Sequence, residues 1–173
     1  GSDACRVRSS SDPHRLGHNR VNSVHVDRSG TVWAATFRGL AKFNPRDGTF
    51  TSYDSRSGLP TDIVLGILED DNGHLWVSTP DGLSRFDPRS QTFTNYHGAD
   101  GLLTDLFSER VVATRSPSGE MFFGSHSGLV AFFPDQVIEE KFVAPVFLTD
   151  FRLFGEPVQP GNGPLKQPIW SVT

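Results

Sequence analysis

The chain has 173 residues, which is enough for one domain of ordinary size and too few for two full ones. Its 16 basic and 20 acidic residues leave a net charge of −4, so no cationic surplus favours nucleic acid or an anionic membrane as a partner. The 17 Gly, 12 Pro and 14 Phe, with 1 Met and 1 Cys, indicate strands and turns and argue against a helical bundle, a coiled coil and a disulfide framework.

The first residues predict that the chain is a piece of a longer protein. It begins with Gly1-Ser2 rather than Met, which is typical of a cloning remnant. The single Cys5 cannot form an internal disulfide, so it does not identify a redox compartment. Apolar stretches are short, as at residues 142–148, and fall far below the roughly 18 residues that a membrane span needs. We therefore expect no membrane contact by this segment.

An internal repeat organises the chain from residue 21 onward. Residues 21–45 align with residues 64–88 at an offset of 43 positions, and Gly, Trp, Phe and Pro match in register. A third copy follows at an offset of 46 positions and has Phe122 where the first two have Trp33 and Trp76. Its other matched positions are Gly119, Gly128, Leu129, Phe132 and Pro134.

Each repeat predicts four short strands separated by turns. In the first repeat they are expected around Val24–Val26, at Val32–Thr36, at Gly39–Phe43 and at Thr49–Tyr53. Asp-x-x-Gly and Asx-Pro sequences supply the turns, because Asp binds backbone amides, Pro presets φ and Gly adopts positive φ. The second repeat predicts a strand around Ile67 and further strands at Leu75–Thr79, Gly82–Phe86 and Thr92–Tyr96.

A repeat of about 43 residues with four antiparallel strands and a Trp on the second is typical of a β-propeller blade. The predicted fold class is all-β, a propeller fragment of about three four-stranded blades plus a short C-terminal β segment. We expect Trp33, Trp76 and Phe122 between neighbouring blades, and a plain β-sandwich is the alternative. The predicted divisions are a linker at residues 1–20, blades at residues 21–62, 63–105 and 106–140, and a C-terminal segment at residues 141–173.

The second repeat carries the motif Glu69-Asp-Asp-Asn-Gly73-His-Leu-Trp76-Val-Ser-Thr-Pro-Asp-Gly-Leu-Ser-Arg-Phe-Asp-Pro88, which resembles the two-component regulator propeller repeat. That repeat builds the extracytoplasmic sensors of bacterial hybrid two-component systems and related sensor kinases. The resemblance covers residues 13–135. It implies a ligand-sensing, non-enzymatic propeller fragment in the periplasmic part of an inner-membrane histidine kinase, where ligand binding or dimerisation is coupled to signal transduction.

Flanking segments resemble other parts of the same family. Residues 10–19 resemble the linker that ends a preceding blade, and the third repeat, which lacks the Trp, resembles a last blade. Residues 144–158 resemble the first strand of the immunoglobulin-like triple-tyrosine domain that follows such propellers. Residues 141–173 are therefore expected to be the truncated start of that domain.

The connections of an antiparallel blade alternate between its two ends, which defines two faces of the molecule. The Asp-x-x-Gly and Asx-Pro turns lie on one, the turn face. The turns between second and third strands and the inter-blade connections lie on the other, the loop face. Side chains on the loop face differ between repeats while the framework stays fixed, as on a binding surface built on repeated scaffolding, although solvated loops vary as well. The predicted ligand-binding residues are Phe37, Arg38, Arg56, Asp81, His97 and His126.

Other residues of types that can act in catalysis or metal binding are better interpreted as structural. Asp27 and Asp70 open the Asp-x-x-Gly turns and are expected to form turns rather than to act as catalytic carboxylates. His14 and His18 are four residues apart, which suits a metal only on a helix, and the neighbouring Pro13 and Gly17 argue against one. We predict no catalytic residue, no metal site and no cofactor.

Three classes of function stay open. The first is the sensor fragment, for which the resemblance implies a carbohydrate-type ligand. The second is an enzyme similar to the propeller lyases that open streptogramin-type rings, which need an acid–base His beside a carboxylate, and here His126 and Asp81 are the plausible pair. The third is a protein-interaction scaffold without a small ligand.

Ring closure sets a further expectation. A propeller typically has four to eight blades, so three blades leave two sheet faces and their edge strands open. We expect the chain to associate with itself, two copies completing a ring of about six or seven blades, or its terminal segments to cover the flanks. The expected partners are thus a second copy of the chain and a carbohydrate-type ligand, with no nucleic acid.

Overall fold

The computed structural model describes residues 16–98, 101–102, 104, 106–107, 113–137, 152–153 and 156–157. The chain divides into two units, Gly1–Val137 and Ile138–Thr173. The described part of the first unit forms three antiparallel sheets in which strands are hydrogen-bonded in chain order. The strands are β1 (Val21–Val26), β2 (Val32–Thr36), β3 (Gly39–Asn44) and β4 (Thr49–Tyr53) in the first sheet, β5 (Gly66–Glu69), β6 (Leu75–Thr79), β7 (Gly82–Asp87) and β8 (Thr92–Tyr96) in the second, and β9 (Ala113–Arg115), β10 (Met121–Ser125) and β11 (Gly128–Phe132) in the third.

These strands confirm the predicted ones in the first two repeats to within a few residues, and the all-β propeller-fragment class is confirmed. The first strand begins earlier than the Val24–Val26 alternation indicated. A bulge between Val21 and Ser23 interrupts the period of two and so hides the beginning of β1 from the pattern. Helical structure in the described part consists of short 3-10 turns at Ser55–Ser57 and Pro134–Gln136. The blade boundaries stay a prediction.

The first strands of successive sheets contact each other, β1 with β5 and β5 with β9. From that first strand each sheet continues outward through its second and later strands. Sheets that meet at their first strands are arranged like propeller blades around a central axis. We call the side of a sheet that points to the next sheet along the chain its forward side, and the opposite side its rear side.

Aromatic side chains fill the space between successive sheets. Buried Trp33 meets Phe86 of the second sheet at 5.6 Å between ring centroids, and buried Trp76 meets Phe132 of the third sheet at 4.9 Å. The two pairs occupy equivalent positions of the repeat, so one interface is built twice. The prediction that Trp33 and Trp76 lie between blades is confirmed.

Phe122 differs from the two Trp residues whose position it shares. Its neighbours Met121 and Phe123 are buried against the second sheet. Alternation along β10 turns Phe122 to the forward side, where it is only half-buried. No described sheet packs on that side, so the expectation that Phe122 lies between two blades is not met within the described residues.

In the second unit, Arg152–Leu153 (β12) pairs antiparallel with Glu156–Pro157 (β13). The rest of the predicted triple-tyrosine-type segment at residues 141–173 lies outside the described residues, as does a possible fourth strand of the third repeat.

Candidate functional site

A hydroxyl group fixes the turn between the second and third strand of each sheet. The Thr36 hydroxyl donates to the carbonyl of Gly39 at 2.9 Å and accepts from the backbone N–H of Arg38 at 3.0 Å. In the second sheet the Thr79 hydroxyl donates to the Gly82 carbonyl and accepts from the N–H of Asp81. In the third sheet the Ser125 hydroxyl does the same with Gly128 and Ser127. Because the hydroxyl and the glycine hold the turn, the two residues between them are free to vary, and they do so in all three repeats.

The connection between sheets is tied to the same turn. The N–H of Gly39 donates to the Asp62 carbonyl at 2.5 Å, and the N–H of Val64 donates to the Thr36 carbonyl at 2.9 Å. In the third sheet the N–H of His126 donates to the Leu106 carbonyl at 3.1 Å. Turns and connections therefore form one surface, the predicted loop face.

Phe37 and Arg38 lie at one corner of the loop face, against residues that precede β1. Phe37 is half-buried, and the Arg20 guanidinium lies 4.2 Å from the centre of its ring. The His18 ring is 5.7 Å from the same ring, and Arg38 beside it is exposed. The sequence only argued against a helical metal site at His18 and gave no role to Arg20. Neither contact can be predicted from the spacing of residues in the sequence, because each joins two segments that come together only in the folded chain.

Arg56 is bound within its own loop. Its exposed guanidinium forms an ion pair with Asp54, and the same carboxylate caps the 3-10 turn by accepting from the Arg56 N–H at 3.0 Å. Hydrogen bonding to Arg56 holds the pKa of Asp54 below its usual value, against a smaller effect of burial. Arg56 thus has its charge neutralised locally and stabilises the connection.

The remaining predicted residues lie on the second and third repeats. Asp81 and His126 are exposed. The half-buried His97 lies against the turn that follows Asp81, so close that a Cβ at Gly82 would be 3.0 Å from its Nδ1. All six predicted residues thus lie on the loop face, where Phe37 adjoins Arg38 and His97 lies beside the Asp81–Gly82 turn. That they bind a ligand stays a prediction.

The turn face has a different chemistry. Asp27 accepts from the N–H groups of Ser29 and Thr31, as predicted for a turn former, and also from the indole of Trp33 at 2.8 Å. Asp70 accepts from the Trp76 indole in the same way at 3.0 Å. The third repeat has Ser116 and Phe122 at these two positions, so the acceptor and the donor are lost together. The joint absence of the Asp and the Trp from the third repeat is the signal in the sequence that these two side chains contact each other in the first two repeats.

Replacing Asp27 by Asn should destabilise the protein in a pH-dependent way. Burial raises the pKa of Asp27, but the hydrogen bonds from Ser29, Trp33 and Thr31 together lower it by more than burial raises it. The pKa of Asp27 is therefore below its usual value. The ionised form therefore stabilises the fold above the unfolded-state pKa of about 3.9, and this contribution is lost as the pH falls through the folded-state value.

Urea unfolding at pH 7, 5 and 3 measures this effect. We expect the wild type to exceed Asp27→Asn in stability at pH 7 and 5, and the difference to shrink at pH 3. Asp81→Asn, which changes an exposed carboxylate, serves as the control. An Asp27→Asn difference that is constant over the pH range would contradict the prediction.

Histidine–carboxylate pairs of the described residues lie toward the turn face rather than the loop face. His74 Nδ1 is 3.0 Å from Asp70 Oδ2, and His25 Nε2 is 3.5 Å from Glu69 Oε2. A groove of about 650 Å³ opens near the same face beside Lys42, Tyr53 and Gln91. Within the described ranges, no group of three or more His, Cys, Asp or Glu is placed to hold a metal ion. No described helix is long and apolar enough to cross a membrane.

Solved structures with the same fold include extracellular domains of two proteins of B. thetaiotaomicron. The extracellular domain of a protein described as the hybrid two-component system BT3049 of B. thetaiotaomicron is 26% identical over 83% of this chain, with a TM-score of 0.66. That of the one-component system BT4673 is 20% identical over 76% of this chain, with a TM-score of 0.63, and shows the fold. This chain spans 21% and 19% of their lengths, about a fifth of each.

An enzyme has the fold too. A catalytically inactive H270A virginiamycin B lyase from Staphylococcus aureus, solved with quinupristin, is 16% identical over 68% of this chain and 43% of its own, with a TM-score of 0.50. A search of curated proteins finds no significant match. Residues 58–81, which contain the Trp76 strand and its turn, match the two component regulator propeller family. This stretch of the chain is thus similar to a two-component regulator propeller repeat, and it lies in the second of three repeated sheets.

Proposed function

We propose that this chain is a ligand-sensing part of an extracytoplasmic sensor, and that its loop face binds the ligand. The observation that carries the proposal is the turn between second and third strands, where a constant hydroxyl and glycine hold residue pairs that change from repeat to repeat. A scaffold that is fixed while the presented side chains vary suits recognition. The likeness to extracellular domains of two-component systems supports the location and the role in signal transduction.

The Phe37–Arg38 corner is the strongest candidate for the binding region. It combines an aromatic ring with the cationic side chains of Arg20 and Arg38, and Arg38 is exposed. An arginine fork binds carboxylates and hydroxyl groups through several donors at once. This chemistry suits an oligosaccharide, above all one with uronate carboxylates. Arg56, whose guanidinium is bound to Asp54, contributes less to this corner.

A non-enzymatic role fits the site better than a lyase. The histidine–carboxylate pairs in the described part, His74 with Asp70 and His25 with Glu69, lie toward the turn face. The loop-face residues His126 and Asp81 belong to different sheets and are both exposed, whereas acid–base catalysis needs groups held within hydrogen-bond reach of the reacting atoms. The third function class, a protein-interaction scaffold without a small ligand, is tested by the thermal shift measurements described next.

Thermal shift measurements with neutral and uronate-containing oligosaccharides test the proposal. A ligand at a hundred times its Kd adds about 2.7 kcal/mol, which raises the Tm by roughly 5–10 °C for a chain of this size. We expect such a shift with a uronate oligosaccharide and its loss in Arg38→Ala.

The matched control is Arg46→Ala, which removes an exposed arginine from the turn face. It should leave the shift intact. A shift that survives Arg38→Ala but disappears in Arg46→Ala would move the site to the turn face. No shift with any oligosaccharide, together with tight binding to a protein, would favour the scaffold.

A further inference from the structure

We infer that a groove on the turn face binds the phosphate group of a small phosphate monoester. The groove is lined by the first sheet and by Gln91 of the second repeat, and its volume is about 650 Å³. Small-molecule sites in proteins have volumes of about 300–1,000 Å³, so the groove suits a compact ligand. The site is separate from the loop face and does not depend on the proposed function.

The lining of the groove is polar and cationic. Lys42 and Thr51, which lie opposite each other on β3 and β4, line it together with Tyr53 of the same side. The β1–β2 and β3–β4 turns line it as well, and the second of them contributes Arg46. None of the lining residues, all of which the structure describes, is an Asp or a Glu. An anion in the groove therefore meets positive charge without a carboxylate in the lining.

Lys42 supplies a positive charge that is held in place. Its Nζ lies 5.6 Å from the centre of the Trp33 ring, and the side chain is half-buried. The indole of Trp33 is itself fixed by its hydrogen bond to Asp27. A contact with an aromatic ring orients an ammonium group without neutralising its charge. The Lys42 ammonium is thus positioned to bind an anion.

Arg46 gives the same groove a second positive charge. Its side chain is exposed, and the carboxylate of the adjacent Asp47 accepts hydrogen bonds from the Thr49 N–H at 2.9 Å and from Asn44 at 2.8 Å. Among the described residues, no carboxylate forms an ion pair with Lys42 or Arg46. Two such charges favour a dianion over a single carboxylate, and a phosphate monoester carries a charge of about −1.5 to −2 at pH 7.

Gln91 adds an amide at the expense of backbone strain. It is the one residue other than glycine with a positive φ, +58°, in the described part of the chain. The equivalent Gly48 forms the same turn, since each N–H donates to the carbonyl four residues earlier, at Asn44 and at Asp87. The turn therefore does not need the Gln91 side chain, which lines the groove. Strained residues of this kind cluster at binding sites.

The three side chains offer the donors that a phosphate group uses. A lysine binds phosphate as a point charge, an arginine binds it through a fork of N–H groups, and a glutamine amide adds two more donors. Val32 and Phe43 also line the groove and give it apolar surface for the organic part of an ester. A phosphate monoester therefore fits this lining better than a neutral sugar does.

NMR titration of the 173-residue chain with inorganic phosphate and with glycerol 3-phosphate, at constant ionic strength, tests the inference. We expect both to shift the Trp33 indole signal saturably, because Lys42 lies against that ring, and to leave the Trp76 indole signal unchanged. Glycerol, which lacks the phosphate group, should have no effect. The absence of a saturable shift overturns the inference, and so do equal shifts at both indoles. Binding of inorganic phosphate but not of glycerol 3-phosphate overturns the assignment to an ester.

Two substitutions in the groove should weaken binding. Lys42→Met keeps the aliphatic stem but removes the charge, and should raise the Kd of glycerol 3-phosphate about tenfold, as for the loss of one charged hydrogen bond. Gln91→Gly removes the amide and relieves the strain, so the Kd should rise about threefold while the Tm stays the same or increases. A residue with a purely structural role would not give that combination. An unchanged Kd in either variant overturns the inference.

Arg89→Met is the matched control. Arg89 holds the position of Arg46 in the second repeat and is exposed, but it does not line the groove. The Kd should change by less than about twofold, the range for an ordinary surface substitution. Equal weakening by Arg89→Met and Lys42→Met would indicate non-specific attraction of anions and would overturn the inference. Circular dichroism checks that every variant is folded.

The variants of the oligosaccharide test separate the two sites. Arg46→Ala should weaken phosphate binding and leave the oligosaccharide shift intact, whereas Arg38→Ala should do the reverse. Loss of phosphate binding in Arg38→Ala but not in Arg46→Ala would place the phosphate on the loop face. That result overturns the groove inference and leaves the proposed function standing.

Discussion

Replacing Trp76 by alanine should lower the free energy of unfolding by about 3–5 kcal/mol, the range for large aromatic residues in protein cores. The side chain is 2% exposed and stacks on Tyr96 at 5.3 Å. It also meets Phe132 of the next sheet, and its indole donates to buried Asp70. The substitution leaves a cavity between two sheets and removes one of the hydrogen bonds of a buried carboxylate. Urea unfolding followed by far-UV circular dichroism measures the loss.

The chain contains its own control for this substitution. Phe122 has the same position in the third repeat but is half-buried, and no described sheet covers it. Phe122→Ala should therefore have a much smaller effect on the free energy of unfolding. Equal losses for Trp76→Ala and Phe122→Ala would mean that the third sheet has a packed forward side.

The repeat made most of the fold predictable. Gly, Pro and Asp mark turns locally, and their recurrence at a fixed interval fixed the strands between them. The period also identified which face of each second strand carries the inter-sheet aromatic, as Trp33 and Trp76 confirm. Where the local pattern was interrupted, the prediction was less accurate, as at the bulge that precedes Val24.

One turn shows that the repeat constrains backbone shape more than residue type. Gly48 ends the Asx-Pro turn of the first repeat with a φ of +72°, and its equivalent in the second repeat is Gln91 with a φ of +58°. A side chain in this left-handed region is strained by about 1–2 kcal/mol, yet the turn keeps its shape. From the sequence alone, Gln91 indicates that the similarity between the two repeats is interrupted at this position, although the backbone conformation is the same in both.

The candidate site was less predictable than the fold. The sequence could assign Phe37, Asp81 and His126 to the loop face, because strand order determines which end of a sheet each turn occupies. It could not show that Arg20 lies over Phe37 or that Arg56 is bound by Asp54. Such contacts depend on how irregular segments fold over the sheets, and no periodic signal records them.

Replacing Gly39 by alanine should cost on the order of 3 kcal/mol, the sum of backbone strain and overlap. Gly39 has a φ of +105°, and a Cβ there would lie 2.2 Å from the carbonyl oxygen of Tyr53. That oxygen belongs to the backbone at the end of β4, so no rotation of a side chain relieves the overlap. Gly82 repeats this geometry, with a Cβ 2.5 Å from the Tyr96 carbonyl oxygen.

Gly48→Ala is the matched control, because Gly48 also has a positive φ but a Cβ there meets no atom within 4 Å. It should cost only the strain of about 1–2 kcal/mol. Urea unfolding of both variants separates overlap from strain, and equal losses would contradict the close approach. The loop-face turn is thus fixed by the hydroxyl of Thr36 on one side and by the Tyr53 backbone on the other. This rigidity lets Phe37 and Arg38 differ from their counterparts in the other repeats without moving the strands that hold them.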